Sequence, residues 1–317
     1  MKKRVLIIYY SQSGQLTDVV RSIAEPMRQV DDIELVFECL KPTQAYPFPW
    51  PFLSFFDLFP ETVYDDPRPI EPLSCQTDQP FDLVILAYQV WFLSPAQPMT
   101  AFLQSPAAEQ LLRGTAVTTV IACRNMWLMA QEKVKQHLTR LGARLIDNVA
   151  LTDPAHSAAT FVSTPLWVLT GKKGPFLNGL IPAAGISAED ISKAARFGQA
   201  IAQQLPNRAT EDNSPMLQNL GSVSINERLI ASETIALRSF RIWGGLLRAL
   251  GKPGTLLRRI VLVAYVIFLI TLILTVVPIT AVIKRLLAPL MQKRIAAQRR
   301  YFSAPSGESM NMDLNNE

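Results

Sequence analysis

Val5-Leu6-Ile7-Ile8-Tyr9-Tyr10-Ser11-Gln12-Ser13-Gly14-Gln15-Leu16-Thr17 is the stretch that decides the fold. Val5 to Ile8 is an unbroken apolar run of strand length, as in a strand covered on both faces. Leu16, Val19, Val20, Ile23 and Met27 follow at three- and four-residue spacing, the core stripe of a helix. A hydroxyl-rich turn therefore joins a first strand to a first helix and sits at the positive end of the helix dipole. Backbone N–H groups and the hydroxyls of Ser11, Ser13 and Thr17 are placed there to wrap a phosphate. No Lys follows Gly14 and no G-x-G-x-x-G occurs, which excludes the two better-known phosphate loops. A serine-capped helix without a ligand is the plainer alternative.

Outward from this turn the pattern predicts strands over Arg4–Tyr9, Ile33–Leu40, Asp82–Tyr88, Thr115–Ala122 and Arg144–Leu151. Helices are predicted over Gln15–Gln29, Pro98–Gln104, Met129–Leu141 and Ser187–Leu205, the last with Ser187 as N-cap and Glu189-Asp190 in its first turn. Strands alternating with helices imply an α/β fold, a doubly wound five-stranded parallel sheet. Ligands of such sheets bind outside the carboxyl ends of the strands, at the switch point beside strand one.

Three enlarged loops should leave that edge. Residues 42–80 interleave Pro47, Pro49, Pro51 and Pro60 with Phe48, Trp50, Phe52, Phe55, Phe56 and Phe59. After strand three comes Gln89-Val90-Trp91-Phe92-Leu93-Ser94-Pro95, and after strand five Asp153–Ile186 with His156, Phe161 and Trp167. Loops this long and this aromatic are functional more often than idle. We expect Phe48, Trp50 and Phe52 to form an apolar pocket wall facing Trp91 and Phe92.

Charge divides the 317-residue chain. Up to Glu227 there are 18 Lys and Arg against 22 Asp and Glu; beyond it there are 13 against 4. A basic character confined to the tail argues against a nucleic-acid-binding domain and for contact with an anionic membrane. Ile260 to Ile283 carries no charge, is bracketed by Arg258-Arg259 and Lys284-Arg285, and is long enough to cross a bilayer. Basic residues on both flanks and Pro278 within leave two courses open, a transmembrane helix or a re-entrant segment. The stretch before it reads as an amphipathic interfacial helix. The resulting organisation is a domain over 1–205, a linker over 206–221, a basic amphipathic segment over 222–257, a transmembrane or re-entrant segment over 258–285, and a basic then disordered tail over 286–317. Met1-Lys2-Lys3-Arg4 leads directly into a strand, so the expected location is the inner membrane with the domain facing the cytoplasm. Cys39, Cys75 and Cys123 are too scattered for a disulfide framework or a zinc site, and no metal is expected.

A phosphate held by hydroxyls and amides, with no cationic side chain, suits the terminal monophosphate of flavin mononucleotide (FMN). The Tyr10–Thr17 loop resembles the FMN phosphate loop of flavodoxin-like proteins. Trp91-Phe92 with Pro95 and Pro98 resembles the loop that carries the isoalloxazine in the quinone reductases and oxidoreductases of that superfamily. The resemblance implies that Ser11, Gln12, Ser13, Gly14, Gln15, Leu16 and Thr17 hold the phosphate. It implies too that Trp91, Phe92 and the Arg124-Asn125-Met126-Trp127 loop flank the ring. The opening and the enlarged loops also resemble the flavodoxin-like aromatase that acts with a ketosynthase in dialkylresorcinol biosynthesis. That likeness implies oxidation of a dialkyl-cyclohexanedione and a ketosynthase-type partner.

Two functions follow as expectations. One is a membrane-associated FMN-dependent oxidoreductase acting on a lipophilic cyclic ketone or quinone, with NAD(P)H as electron partner. His156 and Tyr88 would then be proton donors, and Arg124 would stabilise a reduced anionic flavin. The other is a membrane-tethered electron-transfer module, which would need an exposed ring edge and an acidic docking rim.

Overall fold

The computed structural model describes residues 2–76 and 79–307. Strands β1 (Lys3–Tyr9), β2 (Ile33–Cys39), β3 (Leu83–Tyr88), β4 (Ala116–Cys123) and β5 (Arg144–Thr152) form one parallel sheet in the order β2-β1-β3-β4-β5. Strand order reverses direction at β1, so the turn after β1 lies at the switch point. Val5, Leu6, Ile7 and Ile8 are fully buried, as an unbroken apolar run requires.

Helices α1 (Gln15–Arg28), α8 (Ala188–Lys193) and α9 (Ala195–Gln204) cover one face. The predicted last helix is thus two abutting ones, and Ser187 caps the first by accepting from Asp190 N at 3.0 Å. Helices α1 and α9 cross with Gly198 against the carbonyl oxygen of Ile23, where a Cβ would lie at 1.7 Å. Any side chain at 198 would drive the two helices apart. The other face holds α4 (Gln97–Leu103), α5 (Pro106–Leu112) and α6 (Leu128–Arg140). Helix α5 was not expected; Ser105 caps it by accepting from Ala108 N at 3.2 Å.

Residues 206–221 are not a free linker. The buried Asp147 of β5 accepts hydrogen bonds from the N–H groups of Met216 and Leu217, both at 3.0 Å, and from Ser306 Oγ at 2.7 Å. Ala150 N donates to Ser222 O at 2.8 Å, and Ser222 Oγ donates to Ser306 O at 2.8 Å. The returning chain therefore satisfies the open edge of β5, which an exposed edge strand needs. Disorder was expected over 303–317. Ser306 is 1% exposed, so the start of that stretch is structured instead, and residues 308–317 lie outside those described.

Within the insertion, α2 (Phe52–Asp57) and α3 (Phe59–Val63) form a platform for the C-terminal helices α10 (Glu227–Ala249) and α11 (Leu256–Ser303). Phe59, Val63, Leu247, Leu262 and Tyr265 make a third small core between them. Arg258 locks it: its guanidinium, 1% exposed, donates to Asp57 Oδ1 at 2.6 Å, Asp57 O at 2.7 Å, and both Glu61 oxygens at 2.8 and 2.7 Å.

Candidate functional site

The turn after β1 has the shape of an anion cradle. Gly14 is left-handed at φ 87°, and nothing lies within 4 Å of where its Cβ would be. The N–H groups of Gln12 to Leu16 make no hydrogen bond among the described residues, and Thr17 N donates to Ser11 Oγ at 3.2 Å. These five amides lie in the turn that leads into the N-terminus of α1, where a helix presents its unpaired donors. Of the seven expected phosphate residues, Ser11, Ser13, Gly14 and Thr17 leave polar groups on this surface. The other three are used elsewhere. Gln12 Nε2 donates to Pro47 O at 2.9 Å. Gln15 pairs with Ile186 through both amide atoms at 3.0 Å, and Leu16 is buried in the core. These two glutamines tie the aromatic insertion and the loop after β5 to the cradle, so their side chains are braces.

Beside the cradle, the loop after β3 is a hairpin pairing Val90 with Pro95 and Trp91 with Ser94. Its tip holds Phe92 and Leu93 at φ 50° and 59°, strained for residues with side chains. This turn sends the two aromatics to opposite sides. Trp91 points inward, edge-on to Tyr10 at 6.0 Å, Tyr46 at 5.1 Å and Trp50 at 6.1 Å. Phe92 points outward, onto Phe55 at 4.9 Å, Phe59 at 5.8 Å and Phe240 of α10 at 6.0 Å. The expected flanking role for Phe92 is corrected: it joins the hairpin to the C-terminal helices.

The expected pocket wall is corrected too. Trp50 faces Trp91, but Phe48 sits on Trp167 at 6.3 Å and Phe52 is 45% exposed beside Phe56. Trp50 precedes Pro51 in extended backbone while Phe52 opens α2, and the change of backbone sends neighbouring aromatics in different directions. Tyr10, Tyr46, Trp50 and Trp91 form a packed aromatic cluster in place of an open wall. Burial pushes the Tyr10 hydroxyl up to about 12.

In the loop after β4, Arg124 lies 4.2 Å over the Phe161 ring of α7 (Ser157–Thr170), and its Nε donates to Asn125 Oδ1 at 3.3 Å. Burial pulls its proton affinity down, and the neighbouring Cys123 and Asp153 partly restore it. Asn125 Oδ1 also accepts from Met126 N at 2.9 Å, and Trp127 is buried in the core under α6. Asn125 thus shapes the turn, and Trp127 does not line the edge. Tyr88 is also corrected: it is fully buried and its hydroxyl donates to Gln131 Oε1 at 2.5 Å, because the inward face of β3 ends beneath α6. That hydroxyl is committed within the core, and burial raises it well above its ordinary range. His156 is exposed ahead of α7, its carbonyl accepting from Ala159 N at 2.9 Å and Thr160 N at 3.1 Å.

Several residues of this edge were not singled out from the sequence. Tyr46 packs on Trp91. Gln89 Nε2 and Trp50 Nε1 are buried without a hydrogen-bond partner among the described residues, beside the same hairpin and aromatic cluster. Glu233 of α10 is 1% exposed and accepts from Met129 N at 3.1 Å, at the N-terminus of α6. Burial pushes its carboxyl up to about 8, against the pull of the Trp127, Leu128 and Met129 N–H groups. The signal for Glu233 was present: it is the lone acidic residue among the 80 from Arg228 to Gly307.

A parallel sheet in the order β2-β1-β3-β4-β5, with helices on both faces and the turn after β1 at the switch point, is a flavodoxin-like α/β fold. No protein-family model matches the sequence, and no curated protein does. Among solved structures, the chain is similar to a flavoprotein in complex with FMN from Lactobacillus acidophilus NCFM, at 19% identity and TM-score 0.37, over 46% of this chain and 91% of that one. It is similar to a flavodoxin from the domain Archaea, at 9% identity and TM-score 0.34, over 65% of this chain and 99% of that one. It is also similar to oxidised flavodoxin 1 from Bacillus cereus, at 16% identity and TM-score 0.31, over 62% and 95%.

Proposed function

We propose that this protein is an FMN-dependent oxidoreductase acting on a lipophilic cyclic ketone or quinone-like substrate at the inner membrane, with its domain facing the cytoplasm. The observation that carries the cofactor is the set of unengaged donors on one edge: the amides of Gln12 to Leu16, with Gln89 Nε2 and Trp50 Nε1 nearby. Gln89 Nε2 and Trp50 Nε1 are buried, where a donor without a partner is costly, and a ligand with acceptor oxygens relieves them. The donors match FMN in kind. Amides and the Ser13 and Thr17 hydroxyls suit a phosphate monoester, and side-chain N–H groups suit the carbonyl edge of a flavin. When bound, the flavin supplies hydride and electron transfer; the protein binds, orients and shields it. Trp91 and Tyr10 would exclude water from the ring edge, and Arg124 would place positive charge at its far side. His156 remains the exposed candidate for proton delivery.

Replacing both Ser13 and Thr17 by Ala removes two hydrogen bonds to a charged acceptor, about 1.5–3 kcal/mol each. FMN affinity, read by quenching of flavin fluorescence, is expected to fall at least a hundredfold. Undiminished affinity would show that the cradle does not hold the phosphate.

The lipophilic substrate is supported by a continuous apolar bridge. From Trp91 the hairpin passes to Phe92, then to Phe59 and Phe240, then to Tyr265 of α11, whose outer face is apolar and exposed. Each buried substrate methylene is worth about 0.8 kcal/mol, so turnover of FMN-loaded protein should rise steeply with substrate chain length. Phe92→Ala, which breaks this bridge, is expected to flatten that dependence. Chain-length indifference in both proteins would move the electron-transfer module ahead. Aromatisation of a dialkyl-cyclohexanedione, with a ketosynthase-type partner and NAD(P)H as electron partner, is the narrower form of the proposal. It rests on the sequence resemblance of the opening and the enlarged loops alone.

A further inference from the structure

We propose that α11 enters one leaflet of an anionic bilayer and returns, so that the C-terminus lies on the same side as the flavodoxin-like domain. This rests on the membrane part of the function proposed above and decides between crossing and re-entry.

Both ends of α11 are fastened to one small region of the domain. Arg258, near its start, is held by Asp57 and Glu61 around α3. Near its end, Tyr301 OH donates to Glu132 Oε2 of α6 at 2.7 Å. The next residue on α6, Lys133, donates to Val63 O at the end of that same α3 at 2.6 Å. The anchors of the two ends are therefore neighbours. Beyond Tyr301, Phe302 packs on the main core and Ser306 binds Asp147. A straight helix from Arg258 to Tyr301 would be about 65 Å long, which cannot join neighbouring anchors. The contacts at its two ends cannot be met by a straight α11, so we infer that the helical stretch doubles back between Leu269 and Arg299, an interval that holds prolines at 278 and 289.

The reach of this excursion is limited. The inner face of α11 leaves α10 after Leu269, and Arg299 is back beside Glu227 at the start of α10. Roughly 30 residues folded into two limbs reach about 22 Å, short of the ~30 Å hydrocarbon core.

The exposed surface fits lipid better than a second copy of the chain. Ile260, Ile267, Ile270, Leu274 and Ile279 are 47–71% exposed. From Ile270 to Ile283 the helix carries no charge on any side, whereas a helix that pairs with another protein face carries one apolar stripe. Thr271 Oγ1 donates to Ile267 O at 2.9 Å and Thr275 Oγ1 to Thr271 O at 2.7 Å, so the hydroxyls there are satisfied inside the helix, as hydrocarbon requires. The limb after Ile283 is basic, with Lys293 and Arg294 exposed, and suits anionic headgroups.

The test uses the full chain with one epitope tag before Met1 and another after Glu317. In inverted membrane vesicles protease is expected to remove both tags, and in right-side-out vesicles to remove neither. Loss of the N-terminal tag with protection of the C-terminal one, in inverted vesicles, would mean a crossing helix and overturn the inference while leaving the proposed function standing. Full-length protein recovered without detergent, as a monomer or a dimer, would overturn both. The purified chain should also float several-fold more with phosphatidylglycerol vesicles than with phosphatidylcholine vesicles; equal flotation would remove the anionic requirement.

Discussion

Arg258→Ala should release the C-terminal helices from the flavodoxin-like domain at a cost of about 3–5 kcal/mol, the usual penalty for removing one partner of a buried charge cluster. The guanidinium is the only cation bonded to Asp57 and Glu61 among the described residues, and it also caps Asp57 O and Gly251 O. Its loss strands two carboxylates that are themselves only 16% and 17% exposed. Limited proteolysis in detergent would read the effect as rapid cleavage between α10 and α11, with the sheet domain, residues 206–221 included, still resistant. Arg258→Lys keeps the charge but not the fork that serves both carboxylates, so it should fall between wild type and Ala. Unchanged cleavage in Arg258→Ala would mean the helices are held by the Phe59–Tyr265 packing alone.

Glu233→Gln should change how stability depends on pH. The Glu233 carboxyl is pushed up to about 8 by burial, above its ordinary value of 4.5. Between those two values the folded state holds a proton that the unfolded state has lost. Stability from this group is complete below pH 4.5 and declines as pH rises toward 8. A shift of this size corresponds to a few kcal/mol. Gln keeps an acceptor for Met129 N and does not titrate, so the variant should lose this decline and be the more stable protein at pH 8. The carboxyl of Asp147 is also raised by burial, but it is common to both proteins and cancels in the difference. Parallel denaturation curves across pH 5–8 would show that Glu233 is ionised throughout, held by the helix N-terminus.

The apolar pattern by itself determined the sheet. Five short runs rich in Val, Ile and Leu, all but the second followed by a helical stripe, permit a doubly wound order, and every observed strand bound falls within a residue of its predicted one. The turn after β1 was legible because its chemistry is local: glycine, hydroxyls and a helix start are neighbours in sequence. The basic tail and its uncharged run were legible for the same reason.

What only tertiary structure decided is where each side chain of the loops points. Period and composition cannot show that Trp91 packs on Tyr10, Tyr46 and Trp50 while its neighbour Phe92 reaches across to Phe59 and Phe240, since a left-handed hairpin tip sets that. Nor can they show that Tyr88 ends beneath α6, or that Trp50 alone of the three insertion aromatics meets Trp91. Asp147, Ser222 and Ser306 are far apart in the chain, and their shared hydrogen bonds exist only once the sheet edge has formed. The course of α11 belongs to the same class. The sequence sets how long and how apolar the helix is, but its direction depends on where the Arg258 and Tyr301 anchors lie, and those are surfaces built by residues 57–61 and 132.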